Sequence, residues 1–95
     1  IEGTHCGAVF TSHREFVIGR DANSGLVMDD VMVSRRHARI RPRGNGWYVE
    51  DLGSRNGTFV DARMVDSERL NDGSVITLYP NGPRIEVAIA NHGLT

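Results

Sequence analysis

The chain has 95 residues and not one lysine. Its single cysteine, Cys6, rules out an intrachain disulfide and any zinc cluster of Cys ligands, and fits a reducing, cytoplasmic setting. The four histidines are scattered at 5, 13, 37 and 92 without metal-ligand spacing, so neither a metal nor another cofactor is expected. No apolar run approaches the roughly 18 residues of a spanning helix, and no signal-like stretch opens the chain, which excludes direct membrane insertion by such a helix. Helical periodicity is nearly absent as well, and no internal repeat is visible.

What is present is arginine. Eleven arginines oppose twelve acids for a net charge of −1, so no whole-molecule field points to nucleic acid. The distribution is uneven. Between Val31 and Val49 there are five arginines (Arg35, Arg36, Arg39, Arg41, Arg43) and no acid. A neutral chain with one basic segment suggests a local anion site, and guanidinium offers a planar fork of donors suited to phosphate or carboxylate. The length allows one domain, 1–95. The chain opens at Ile1 without methionine, which reads as a piece of a larger protein.

Short apolar or alternating segments recur at 8–12-residue spacing with turn residues between them. Glu15–Ile18, His37–Arg41, Trp47–Glu50, Thr58–Val60, Val75–Tyr79 and Arg84–Ile89 read as strands, with Ala8–Phe10, Leu26–Met28 and Met64–Val65 as shorter ones. Alternation puts Ala38 and Ile40 on one face and Arg39 and Arg41 on the other. Pro42 to Gly46 reads as the turn of a hairpin. Some nine to eleven short strands and almost no helical periodicity predict an all-β sandwich of two antiparallel sheets.

The unusual residues gather in three polar segments: Arg20–Gly25, Asp29–Arg36 and Gly53–Gly57. The second and third flank one hairpin and should emerge at the same end. Strict alternation sends the first to the opposite end, but Leu26–Met28 spans only about 10 Å at 3.3 Å per residue, so pattern alone leaves Arg20 unplaced. Arg20, Ser34, Arg35, Ser54, Arg55 and Asn56 are all hydrogen-bond donors on loops of this kind, and loops on a rigid scaffold are where binding usually resides. Taken alone, Asn56-Gly57 is an ordinary hairpin-turn pair.

In order, Phe16-Val17-Ile18-Gly19-Arg20, Ser34-Arg35-Arg36-His37-Ala38 and Asp51-Leu52-Gly53-Ser54-Arg55-Asn56-Gly57-Thr58, followed by Leu70-Asn71-Asp72-Gly73-Ser74-Val75-Ile76, resemble the forkhead-associated (FHA) domain. The likeness covers about residues 7–90. It implies an eleven-stranded sandwich with recognition loops at one end and a role in signalling, as a reader of threonine-phosphorylated proteins or peptides, whether a kinase substrate or a segment of the parent chain. It implies that Arg20 and Ser34 hold the phosphate, that Arg35, Ser54 and Arg55 add donors, and that Asn56 bonds the peptide main chain. Gly19, His37 and Gly57 take architectural roles. Two positions depart from the family pattern. Arg55 stands where a small hydroxyl residue is common, and Tyr79 where glycine is common, which should lengthen the last hairpin without touching the site. Asp29 and Asp30 should structure their loop.

Two other classes compete. Ser34 and His37 with a nearby Asp29 or Asp30 suggest a hydrolase, but no Gly-x-Ser-x-Gly elbow accompanies them and the chain is short for a substrate cleft, so no enzyme is expected. A nucleic-acid phosphate face along Arg35–Arg43 is the stronger alternative. The net charge, the missing lysine and the lack of an aromatic platform in that segment weigh against it, and nucleic acid is not the expected partner.

Overall fold

The computed structural model describes residues 1–5 and 8–89; Cys6 and His92 lie outside them. Eleven strands form two sheets: β1 (Glu2–His5), β2 (Ala8–Thr11), β3 (Phe16–Gly19), β4 (Leu26–Val27), β5 (Ala38–Arg43), β6 (Gly46–Asp51), β7 (Thr58–Val60), β8 (Arg63–Val65), β9 (Ser67–Leu70), β10 (Val75–Thr77) and β11 (Ile85–Ala88). One sheet runs β2-β1-β11-β10-β7-β8 and the other β4-β3-β5-β6-β9. No helix occurs among the described residues.

Alternation builds the core. Ile18, Ala38, Ile40, Val49 and Leu70 face inward from the five-stranded sheet and meet Val60, Ile76, Ile85 and Val87 from the other. Met28, Val33 and Leu78, which lie outside the strands, join the same buried core. The expected turn at 42–46 is tighter, since β5 runs on to Arg43 and pairs with Gly46. Pro42 fits in β5 because β3 pairs with it only over Ala38–Ile40, leaving no neighbour there that needs its missing N–H. Leu78 and Tyr79, expected in a strand, lie beyond the end of β10.

One pair departs from the expected antiparallel order: β3 and β4 are parallel, Ile18 opposite Leu26 and Gly19 opposite Val27. Residues leaving β3 and β4 therefore emerge at the same end. That places Arg20 beside the 29–36 segment, which pattern alone left open.

The β7–β8 turn carries Asp61 at φ 49° and Ala62 at φ 68°. Asp61 repays the conformation by accepting the Val75 amide at 3.0 Å, whereas Ala62 is exposed and makes no such bond. A left-handed residue with a Cβ costs about 1–2 kcal/mol, partly offset by the greater unfolded-state entropy of glycine. Ala62→Gly should therefore stabilise the domain by about 0.5–1 kcal/mol, read as a higher urea midpoint at unchanged m-value.

Candidate functional site

The backbones of two segments meet first. The Arg20 amide donates to Ser34 O at 3.0 Å and the Asp21 amide to Arg35 O at 3.1 Å. A Cβ on Gly19 would lie 2.0 Å from the Arg35 carbonyl, so only glycine lets the chains approach this closely. Arg20 Nε then donates to Val33 O at 3.1 Å. This single bond orients the guanidinium and leaves its two terminal nitrogens without a partner among the described residues.

The third segment is tied on by His37, which is fully buried. Its Nδ1 accepts the Ser34 amide at 3.0 Å, which makes Nε2 the protonated nitrogen, and Nε2 donates to Gly57 O at 2.6 Å. Ser34 Oγ accepts the Arg55 amide at 3.0 Å, so the hydroxyl hydrogen stays available. Asn56 Nδ2 donates to Met32 O at 2.7 Å, leaving its carbonyl oxygen unengaged. Gly57 has φ 90° and closes the loop, while Asn56 keeps a negative φ, so the pair is not a hairpin turn with both φ positive.

Asp51 organises that loop from within. Its Oδ2 accepts the Gly53 and Ser54 amides at 3.0 and 3.1 Å, and its Oδ1 accepts both the Ser54 hydroxyl and Thr58 Oγ1, the latter at 2.8 Å. The Gly57 amide donates back to Ser54 Oγ at 3.0 Å. The one hydrogen of Ser54 is thus engaged with Asp51. Burial raises the Asp51 carboxyl, but the bonds from Ser54, Thr58 and the two amides outweigh it and hold it below its ordinary 3.8. A depressed folded-state value means stability that is present above pH 4 and is lost as pH falls through the folded value. Asp51→Asn should therefore flatten the acid limb of a stability-versus-pH curve below about pH 4, measured by urea unfolding.

Tyr79 corrects an expectation. It does touch this end of the molecule: its hydroxyl donates to Asp30 Oδ2 at 2.6 Å, across 49 positions of sequence. Asp30 Oδ1 accepts the Met32 amide at 2.9 Å. The hydrogen bond from Tyr79 foremost, then the Met32 amide, keeps the Asp30 carboxyl below its ordinary range, and Asp30 in turn raises the Tyr79 hydroxyl. The acid that looks misplaced beside an anion site is thus engaged in bracing the loop.

The result is a cleft of about 230 Å³ lined by Arg20, Val31, Met32, Val33, Ser34, Arg35 and Arg55. Three arginines and a hydroxyl line it, and no carboxylate does. Arg35 and Arg55 are exposed, and neither side chain has a partner among the described residues. The rest of the basic segment behaves differently. Arg39 donates to Glu50 from Nε and Nη2 at 3.0 and 2.7 Å, and Arg41 Nη2 lies 3.2 Å from the same carboxylate. The Arg43 guanidinium sits 5.6 Å from the Tyr48 ring centroid. Arg39 and Arg41 share one carboxylate and are not a free phosphate-tracking face. Nor do Ser34 and His37 pair as nucleophile and base, since the His37 ring takes the Ser34 amide and not its hydroxyl.

The family model described as FHA domain matches residues 16–79, two thirds of the chain and all three loops. The chain belongs to the FHA domain family. This FHA domain is 49% identical over 65 residues to the FHA domain-containing protein FhaB of Mycolicibacterium smegmatis, covering 67% of this chain and 42% of that protein. It is 44% identical over 79 residues to FhaB of Mycobacterium tuberculosis, covering 81% of this chain and 51% of that one. The chain thus spans about half the length of the curated relatives it matches. Among solved structures, it superimposes on the FhaA FHA domain complexed with the intracellular domain of Rv3910 at a TM-score of 0.81 and 31% identity, covering 90% of this chain and 96% of the other. An FHA domain from a study of phosphothreonine-dependent interactions gives 0.85 at 31% identity, covering 95% and 96%.

Proposed function

We propose that this FHA domain binds phosphothreonine on a protein partner through the Arg20–Ser34–Arg55 cleft, as a non-catalytic module for phosphorylation-dependent association. One observation carries the reading: donors from all three loops line one cleft that contains no acid, while the neighbouring arginines of β5 are engaged within their own sheet. In this assignment the terminal nitrogens of Arg20 and the Ser34 hydroxyl hold phosphate oxygens. The Arg35 and Arg55 guanidinium groups add charge from the rim. The Arg55 amide is already given to Ser34, so this residue acts through its side chain. Ser54 buckles its own loop to Asp51, and the carbonyl of Asn56 receives a peptide amide beside the phosphothreonine. Val31, Met32 and Val33 supply an apolar wall for the threonine methyl. Such a module works where protein kinases and ATP are found, and we place it in the cytoplasm.

Calorimetric titration with a phosphothreonine peptide tests the reading. The phosphorylated peptide should bind and its unphosphorylated twin should not. Affinity should fall as pH drops through about 6, where the phosphate takes up its second proton and loses a charge. Equal affinity for the two peptides, or no change between pH 8 and 5, contradicts direct recognition of the dianion.

A further inference from the structure

A second depression lies on the outer face of the six-stranded sheet, outside the phosphate cleft. It encloses about 500 Å³, with Phe59, Val75 and Thr77 as its floor, the Asp61-Ala62 turn as one wall and the 80–84 loop as the other. Strand register explains the floor. Met64 is opposite Phe59 and Phe59 is opposite Thr77, so these three form one outward row across β8, β7 and β10. Thr58 and Val60, on either side of Phe59, point into the core.

Three features distinguish this groove from ordinary sheet surface. First, Asp61, Ala62 and Asn81 are the non-glycine residues with left-handed backbone among the described residues, and all three line it. Asp61 and Ala62 form the two-residue β7–β8 hairpin turn, which requires positive φ at both positions, so this wall is a tight turn of fixed conformation. Second, the floor continues into an exposed apolar edge, because Met64 is 67% exposed. Third, the Arg84 guanidinium is exposed and without a partner among the described residues, a cation set beside an apolar strip.

The groove is also continuous with the recognition loops. A Cβ on Gly57 would lie 2.9 Å from Met64 Cε and 3.3 Å from Phe59 Cε1, so both side chains pack against the residue that follows Asn56. The opposite wall begins just after Tyr79, whose hydroxyl holds Asp30, and Gly82 packs on the Tyr79 ring. A chain leaving Asn56 meets Gly57, then the Met64–Phe59 row, then Arg84. The four positions from Gly57 to Asp61 correspond to about 13 Å of extended chain.

We propose that this groove is a second peptide subsite that receives the continuation of the phosphorylated segment beyond Asn56, with an apolar side chain on Phe59 and Met64 and a carboxylate at Arg84. The inference rests on the phosphothreonine reading and adds to it a longer footprint and a preferred chemistry for the flanking residues. The Arg84 guanidinium selects the carboxylate, since Asp61, the acid of the lining, sits on the other wall and accepts the Val75 amide. The exposed Met64–Phe59 row selects the apolar side chain, because burying such a surface is favourable in proportion to its area.

The test compares a short phosphothreonine peptide with two versions extended by about six residues containing leucine and glutamate, one on the N-terminal side and one on the C-terminal side. One extension should bind about tenfold more tightly than the short peptide, equivalent to roughly 1.4 kcal/mol. Phe59→Ala and Arg84→Glu should each remove most of that gain while leaving the affinity for the short peptide unchanged, which also shows that the variants are folded. If neither extension gains affinity, or if the gain survives in both variants, the second subsite is wrong although the phosphate site stands. If the short peptide itself fails to bind the unaltered domain, it is the phosphothreonine reading that falls.

Discussion

Arg20→Ala should lower affinity for a phosphothreonine peptide by at least about 100-fold. Charge-assisted hydrogen bonds contribute roughly 1.5–3 kcal/mol each, and the two terminal nitrogens of Arg20 are positioned to make two of them. The cost to folding should be small. The side chain is exposed, and its one bond among the described residues is Nε to Val33 O, worth about 1 kcal/mol. Binding and stability should therefore separate, which calorimetric titration and urea unfolding of the same sample can show. Arg20→Lys should recover part of the loss, because lysine restores the charge but neither the fork nor the bond that aims it. Affinity within about threefold of the unaltered domain in Arg20→Ala would take this residue out of the site.

His37→Ala should do the opposite and strike folding first. The ring is fully buried and joins the Ser34 amide to the Gly57 carbonyl. Truncation leaves both groups unpaired in the interior at about 1–3 kcal/mol each and opens a cavity as well. A total of roughly 3–5 kcal/mol is expected, a large share of the 5–15 kcal/mol that holds an ordinary domain folded. Phosphopeptide affinity should fall too, because Ser34 and Asn56 would no longer be held in register across the cleft. A loss below about 1 kcal/mol in urea unfolding would mean that the two loops keep their places without the histidine.

The sequence shows some parts of this molecule better than others, for physical reasons. Strands buried on one face announce themselves by alternation, as in residues 38–41 of β5 and in Ile85–Ala88, where inward and outward residues follow one another strictly. Two strands lack that signal. Glu2–His5 and Ser67–Leu70 carry no apolar alternation and become strands because partners pair with them, β1 with β2 and β11, and β9 with β6 alone. The parallel alignment of β3 and β4 was equally hidden, since a six-residue connection suggests a reversal of direction.

The site divides in the same way. The donors Arg20, Ser34, Arg35, Arg55 and Asn56 stand out because charged and amide side chains cluster in loops. Part of the support is local too: Asp51, three residues before Ser54, carries the pattern of a side chain that bonds amides two and three positions ahead. The Tyr79–Asp30 brace leaves no local trace, because its two halves meet only when one sheet is laid on the other. The neutralisation of Arg39 and Arg41 by Glu50 was concealed for a related reason. Their pairing depends on the β5–β6 register, Arg39 opposite Glu50 and Arg41 opposite Tyr48, and a charge count along the chain does not reveal it.

The central claim is that the three loops act together on one phosphate. A titration of the ¹⁵N-labelled domain with a phosphothreonine peptide, followed through backbone amides and arginine Nε–H resonances, addresses it most directly. The largest shifts should fall together on Arg20, Ser34, Arg35, Arg55 and Asn56, saturate with one affinity, and vanish with the unphosphorylated peptide. Shifts centred on Arg39, Arg41 and Arg43, or a response in one loop without the other two, would contradict it.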